Sequence, residues 1–166
     1  MNLYRKHALE LFAWKEISQL TNTEREEILT DIISGNDEYE LIKDFTSEKY
    51  NSLIVDYFIQ RNAGVKNTFI EEKLSKLYLI ETNIKGNPDI LHACYCCEFL
   101  ALKTIGEYEI CPVCFWEDDG TKHLQLFSQC NKRTLLEGKL NYKEYGAIDI
   151  MYVNKVEKGE EKYSHL

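Results

Sequence analysis

The chain has 166 residues, of which 44% are hydrophobic and 29% are charged. These values are typical of a folded globular protein with one compact domain or two small parts, and they exclude a large multidomain enzyme. Lys and Arg number 20 against 28 Asp and Glu, which gives a net charge of −8 and excludes a general basic face for nucleic acid.

Residues 1–80 have the apolar periodicity of about four helices. Thr23 and Glu26 form a predicted capping box that opens the second helix, and Gly35 is predicted to end it. The apolar stripes of the first two helices consist of Leu9, Phe12, Ala13, Ile17 and Leu20, and of Ile28, Leu29, Ile32 and Ile33.

Two further helices are predicted before position 80. Ser47 is the expected N-cap of the third helix, Gly64 is its expected end, and the fourth helix begins near Asn67. Their apolar faces consist of Tyr50, Leu53, Ile54, Tyr57 and Phe58, and of Ile70, Leu74 and Leu77. The Asn83–Pro88 segment contains two helix breakers and is the predicted boundary between the two parts of the chain.

Beyond residue 88 the pattern changes to short strands. Phe99–Lys103 and Glu107–Ile110 are predicted to pair as a hairpin with Gly106 in the turn. Alternating apolar residues predict a final strand, and these are Ile148, Ile150 and Tyr152. The charged tail Asn154–Leu166 is expected to be frayed.

One helix is predicted within this second part. Thr134 and Glu137 form its capping box, and Gly146 ends it. Its expected apolar residues are Leu136, Leu140 and Tyr145.

All six cysteines lie between positions 94 and 130, and Cys94/Cys97 and Cys111/Cys114 form two C-x-x-C pairs. Two residues between thiolates allow a tight turn to direct both sulfurs at one ion, and the 13 residues 98–110 are enough for a hairpin that brings the pairs together. Four thiolates in a closed tetrahedral set suit one structural zinc ion. The spacing therefore predicts Zn²⁺ as the cofactor.

The ligand set has alternatives. Cys96 lies inside the first pair, so the spacing alone leaves open which of Cys94, Cys96 and Cys97 bind the metal. Cys130, His92 and His123 are further alternates, although Cys130 fits a buried small hydrophobe and the two histidines fit structural or surface roles.

The compartment is predicted from the absence of targeting patterns. Charged residues at Lys6, Glu10, Lys15 and Glu16 interrupt the opening segment, which lacks the pattern of a secretory signal. No window approaches the roughly 18 apolar residues of a membrane span. We therefore expect a cytoplasmic protein without a membrane partner, in which clustered thiols stay reduced and bind metal.

The cysteine region resembles a known family. The runs Cys94-Tyr-Cys-Cys97 and Tyr108-Glu-Ile-Cys-Pro-Val-Cys-Phe-Trp-Glu-Asp-Asp-Gly120 are similar to the bacterial cysteine-rich CPCC family, which has C-P-C-C-G and then Y-x-I-C-P-V-C-F-W-E-D-D. The resemblance covers about 94–147 and includes the Asn141-Tyr142 and Gly146-Ala147 pairs. Tyr95 stands where the family has Pro, and Glu98 where it has Gly. The resemblance implies a small zinc-ribbon module of no established activity.

Three consecutive acids, Glu117, Asp118 and Asp119, follow the second cysteine pair. They fit a partner-binding loop or the ligands of a second, hard cation. Alternatively the acids are solvated, Asp119 and Gly120 form a turn, and Phe115 and Trp116 cover the zinc site. Side chains alternate along a strand, so the three carboxylates cannot all face one ion. A second candidate for partner binding is Tyr39, which lies among the acids Asp37, Glu38 and Glu40.

These patterns predict an α+β fold: a helical amino-terminal half packed with a zinc ribbon, a short hairpin with two cysteine knuckles, followed by one helix and one strand. The predicted divisions are a helical region over 1–88, a CPCC-type domain over 89–153 and a charged tail over 154–166. We expect the two halves to share one core, because each alone buries a modest apolar area.

The expected function is non-enzymatic. We find no nucleophile with its base and no phosphate-binding glycine loop, and an acidic protein suits a basic protein partner such as a toxin that it inhibits. One alternative is a nucleic-acid-binding zinc ribbon, for which the available cations are Lys132, Arg133, Lys139 and Lys143. The other is an enzyme with a reactive thiol at Cys96 or Cys130. The oligomeric state has no signature in the sequence.

Overall fold

The computed structural model describes residues 1–34, 42 and 44–166. The chain is α+β and consists of two compact units. The helical unit comprises 1–63 and 67–88, and the cysteine unit comprises 64–66 and 89–166. None of the helices within the described ranges is long and apolar enough to cross a membrane.

In the described residues of the helical unit, the four predicted helices and one small sheet are present. The helices are α1 (Arg5–Gln19), α2 (Asn22–Ser34), α3 (Asn51–Arg61) and α4 (Asn67–Tyr78), with a 3-10 turn at Glu48–Tyr50 before α3. Strand β1 (Asn2–Tyr4) pairs in parallel with β2 (Asn83–Lys85), so the Asn83–Pro88 segment begins as a strand.

The interior of the helical unit follows the predicted apolar stripes. Ala13 of α1, Leu29 of α2, and Ile54 and Phe58 of α3 form one buried cluster. Arg25 is also buried, and its guanidinium donates to the carbonyls of the loop before α3. Leu77, which was expected on the apolar face of α4, is half exposed.

Three predicted helix boundaries differ from those observed. The capping box of α2 is Thr21 with Glu24, whose carboxylate accepts the Thr21 N–H at 2.8 Å, and the predicted Thr23/Glu26 box is wrong. Because α1 ends at Gln19, Thr21 is already in position to cap the next helix. The α3 helix begins at Asn51, directly after the three-residue 3-10 turn that follows Ser47, and it ends at Arg61 before Gly64.

The predicted end of α2 at Gly35 lies outside the described residues. The same holds for Tyr39 and its acidic neighbours Asp37, Glu38 and Glu40.

The cysteine unit consists of small hairpins and one long helix. Strands β3 (His92–Ala93) and β4 (Leu100–Leu102) pair antiparallel, as do β5 (Phe127–Ser128) and β6 (Arg133–Thr134). The helices are α5 (Leu135–Tyr145) and the short α6 (Gly159–Lys162), with a 3-10 turn at Ile150–Tyr152.

The predicted hairpin between Phe99–Lys103 and Glu107–Ile110 is wrong. Strand β4 pairs with β3 on the other side of the first cysteine pair, and Ile110 forms a bridge with Glu117 across the second pair. Side-chain hydrogen bonds hold the intervening loop: the Glu109 carboxylate accepts the Lys103 N–H at 2.8 Å. Each cysteine pair therefore closes a hairpin of its own.

The capping box of α5 is confirmed, because Thr134 and Glu137 exchange both hydrogen bonds. Gly146 ends the helix in a left-handed conformation with φ of 80°. The predicted apolar face is wrong: Leu135 and Gly138 are buried, whereas Leu140 is 57% exposed.

The predicted final strand is also wrong. Ile150–Tyr152 is a 3-10 turn, because the Asp149 carboxylate accepts the Met151 N–H and starts a helical turn there. Of the three alternating residues, Ile148 is buried and donates its N–H to the Cys114 carbonyl, while Ile150 is 69% exposed.

The tail is not frayed. Tyr163 is only 3% exposed, and the Ser164 carbonyl accepts the Leu100 N–H at 2.8 Å. Burial of Gly159 and Tyr163 holds this charged segment against the unit. Whether the two units share a core stays a prediction.

Candidate metal centre

The two cysteine pairs adopt the same backbone turn. In the first, the Cys94 N–H donates to the Phe99 carbonyl at 2.9 Å, and the Glu98 N–H donates to the Cys94 carbonyl at 2.8 Å. In the second, the Cys111 N–H donates to the Trp116 carbonyl at 2.8 Å, and the Phe115 N–H donates to the Cys111 carbonyl at 2.9 Å. We call these turns the first knuckle (94–99) and the second knuckle (111–116).

Each knuckle places one residue in a left-handed conformation directly after its second cysteine. Glu98 has φ of 67° and Phe115 has φ of 69°, a region that favours glycine. Side-chain contacts help to hold both residues there. The Glu98 carboxylate pairs with Lys139 of α5 at 2.7 Å, and the Phe115 ring stacks on Tyr152 with centroids 4.1 Å apart.

The knuckles bring four sulfurs together. The Sγ atoms of Cys94, Cys97, Cys111 and Cys114 all lie within 4.8 Å of one another, and all four residues are buried. Two distances across the knuckles are 3.6 Å (Cys94 to Cys114) and 3.7 Å (Cys97 to Cys111). Sulfurs bound tetrahedrally to zinc at about 2.3 Å lie roughly 3.8 Å apart, so the cluster has the size of a zinc site.

The charge state of the thiols fits a cation site. All six cysteines are free thiols, without disulfides. Hydrogen bonds from the other three cluster thiols, with Cys111 first, hold the pKa of Cys94 far below its usual range. Burial raises the pKa of Cys111 and of Cys114 well above the ordinary value. Four buried thiols this close together form a set of ligands that a cation completes by displacing protons.

Helix α5 packs against the cluster. Trp116 is fully buried, and a Cβ added to Gly138 would lie 2.8 Å from its ring and 3.5 Å from the Cys96 sulfur. Burial raises the pKa of Tyr142 on the same helix. Trp116 therefore packs against α5 beside Cys96, whereas the Phe115 ring stacks on Tyr152.

The alternate ligands lie outside the cluster. Within the described part of the chain, the group that could hold an ion contains Cys94 and Cys97 from the first knuckle and leaves out Cys96. The Cys130 thiol lies 3.2 Å from the Ser128 hydroxyl, away from that group. His92 and His123 are exposed.

The three acids after the second knuckle have different surroundings. Asp118 is fully buried, and its carboxylate accepts the Gly106 N–H at 2.7 Å and the Gly120 N–H at 3.3 Å. Asp118 therefore cannot contact a partner, and its place in the expected binding loop is corrected. Glu117 and Asp119 are partly exposed.

Sequence reasoning included Asn131 in the family resemblance but did not assign its role in holding the second knuckle. Asn131 is buried, and its amide accepts the Glu117 N–H at 2.9 Å and donates to the Glu117 carbonyl at 2.8 Å. The Asn131 side chain therefore pairs with both backbone groups of Glu117, as the backbone of a neighbouring β-strand would. An isolated Asn carries no local signal of this role, because its partner is distant in sequence.

The comparison with protein families gives one result. Residues 92–162 match the family model described as Cysteine-rich CPCC. The predicted resemblance is confirmed over this segment. It covers both knuckles, α5 and α6, and extends beyond residue 147. No curated protein and no solved structure matches the chain significantly.

The CPCC segment departs from the family pattern at Tyr95 and Glu98, and the first knuckle nevertheless has the same hydrogen bonds as the second. Tyr95 lies under the Lys122 ammonium, 5.4 Å from the ring centroid. The pKa of the Glu98 carboxyl is lowered by its hydrogen bond from Lys139.

Proposed function

We propose that the CPCC segment is a zinc ribbon in which one structural Zn²⁺ is held by Cys94, Cys97, Cys111 and Cys114. The observation that carries this proposal is the buried group of four sulfurs at the separation expected for tetrahedral zinc. Soft thiolate ligands select zinc, copper(I) or iron–sulfur chemistry, and a closed set of four with two knuckles is typical of structural zinc.

Such a site organises the fold and does not activate a substrate. Four protein ligands leave no open position for water, which catalytic zinc requires. The ion would cross-link two hairpins that share few backbone hydrogen bonds, so its removal should unfold much of the cysteine unit.

Elemental analysis of protein purified without chelator tests the zinc proposal. We expect one zinc per chain, and cobalt(II) substitution should give the absorption of a tetrahedral thiolate complex. Protein with far less than one zinc per chain that also fails to take up cobalt would reject the site. Iron in place of zinc would keep the ligands but change the ion.

For the whole chain we propose a non-enzymatic role in which it binds another protein, for example as an inhibitor or immunity protein of a basic bacterial toxin. The net charge of −8 supports this, and zinc with four thiolates adds a further charge of about −2. Complementary charge speeds the encounter with a basic partner and disfavours the binding of acidic proteins. Glu117 and Asp119, partly exposed beside the second knuckle, are the acids we assign to this surface, with Tyr39 as a second candidate.

The alternatives have less support. In the proposed basic patch, Arg133 pairs with Asp149 at 2.7 Å and Lys139 pairs with Glu98, so two of its four cations are already neutralised. For a thiol enzyme, Cys96 is buried, and burial together with nearby carboxylates raises the pKa of Cys130, which disfavours a reactive thiolate.

Binding experiments test the partner proposal. Affinity capture from the native organism should recover a basic protein, and its dissociation constant should rise when Glu117→Lys and Asp119→Lys are combined. The matched control is Glu144→Lys, an exposed acid on α5. Recovery of nucleic acid, turnover of a substrate, or capture of no partner would reject the proposal.

A further inference from the structure

The segment 157–166 contacts both knuckles, and we call it the strap. It contains α6 and the residues that follow it, and it is held by burial of Gly159 and Tyr163. The family match ends at residue 162, so the last four residues of the strap lie outside the matched segment.

At the second knuckle the strap contacts the two residues between the cysteines. The Glu157 N–H donates to the Pro112 carbonyl at 2.8 Å. Gly159 lies so close to Val113 that an added Cβ would be 2.6 Å from its Cγ1 atom and 3.0 Å from the ring of Phe99. Only a residue without a side chain fits at position 159 without displacing the strap.

At the first knuckle the strap continues alongside the chain that leaves it. Phe99 and His165 form an antiparallel bridge, and their rings meet edge to face with centroids 4.7 Å apart. The Leu166 N–H donates at 3.1 Å to the carbonyl of Glu98, the left-handed residue of the knuckle. The strap is therefore bonded to both halves of the sulfur cluster.

The strap is also tied within itself. The Tyr163 hydroxyl donates to the Glu157 carboxylate at 3.1 Å, and Lys162 pairs with the same carboxylate at 3.1 Å. The Lys162 carbonyl accepts the Lys66 N–H at 2.8 Å. These contacts tie Glu157, at the start of the strap, to residues near its end.

We infer that the strap controls how fast the metal leaves the cluster. This inference rests on the proposed zinc site. A metal held by two ligands from each knuckle leaves when the knuckles separate, and separation must break strap bonds to Pro112 or to Glu98. Opening of the strap is therefore the slow step in transfer of the ion to an outside acceptor.

Kinetics of zinc transfer to a chromogenic chelator test this inference in the full chain. For the natural sequence we expect a rate that becomes independent of chelator concentration when the chelator is in excess. Gly159→Ala should speed release about tenfold, because overpacking against Val113 lifts the strap. The matched control Glu160→Ala, on the exposed side of α6, should leave the rate unchanged. The chain that lacks 157–166 should release zinc at least as fast as the Gly159→Ala variant.

Hydrogen exchange gives a second readout. The N–H groups of Leu100 and Glu157 should exchange faster in zinc-loaded Gly159→Ala and remain protected in Glu160→Ala. Full zinc content with unchanged release rates in Gly159→Ala and in the deletion would reject the proposed role of the strap but not the zinc site. A natural chain that binds no zinc would overturn both. Loss of zinc from Gly159→Ala, with full retention in Glu160→Ala, would support control of zinc release by the strap.

Discussion

Gly138 allows a sharp test of packing around the candidate metal centre, because one added methyl group has two opposite effects there. A Cβ on Gly138 would lie 2.8 Å from Cζ3 and 3.0 Å from Cε3 of Trp116. The Trp116 side chain is fully buried and cannot turn into solvent. We predict that Gly138→Ala lowers the free energy of unfolding of the zinc-loaded cysteine unit, although alanine normally stabilises a helix.

The magnitude follows from the two opposing effects. In a helix interior, alanine is more favourable than glycine by about 1 kcal/mol. Overpacking a buried contact costs about 1–3 kcal/mol, and the 2.8 Å separation is far shorter than the roughly 3.5–4.0 Å of an ordinary carbon contact. The expected net loss is therefore up to about 2 kcal/mol.

Urea unfolding in a Trp14→Phe background measures this loss, because the remaining tryptophan, Trp116, then reports on the cysteine unit alone. The control is Lys143→Ala on the exposed face of α5, which should change the free energy by no more than about 0.5 kcal/mol. A gain of about 1 kcal/mol in Gly138→Ala, the value for an open helix position, would refute the packing described above.

Three further predictions follow from the knuckles and their loop. Glu98→Gly should be more stable to urea than Glu98→Ala by about 1–2 kcal/mol, since both lose the ion pair but only glycine relieves the left-handed strain; equal stabilities would contradict that conformation. Asp118→Ala should lower the free energy of unfolding by about 1–3 kcal/mol because two buried backbone donors lose their acceptor, and an unchanged denaturation curve would argue against this role. Because burial raises the pKa of Cys111 and of Cys114, zinc binding near neutral pH must release their protons, so the apparent affinity should increase with pH. Calorimetry in buffers of different ionisation enthalpy measures the proton release, and binding without it would contradict the assigned protonation.

Features encoded by nearby residues could be predicted from the sequence. The stripes that contain Leu29 and Ile54 predicted the helices because helical periodicity is a local property. The capping box of α5 is a contact across three residues, and Gly146 adopts the left-handed conformation that its position indicates. The sulfur cluster was also predictable, because C-x-x-C spacing determines the geometry of each knuckle.

Features that depend on distant partners could not be predicted. The pairing of β4 with β3, in place of residues 107–110, depends on each knuckle closing its own hairpin. The sequence predicted a Thr23/Glu26 capping box, whereas Thr21 and Glu24 cap α2 because α1 already ends at Gln19. The charge of the last segment predicted fraying, whereas burial of Tyr163 and hydrogen bonds to both knuckles hold it in place.

Native mass spectrometry of the chain and of six single Cys→Ser variants, each with a competing chelator, tests the proposed zinc site most directly. We predict one bound zinc in the natural sequence and in the Cys96→Ser and Cys130→Ser variants. The variants at the four cluster cysteines, Cys94, Cys97, Cys111 and Cys114, should lose the ion. A natural chain without metal, or retention of zinc in Cys111→Ser together with its loss in Cys96→Ser, would contradict the proposed site.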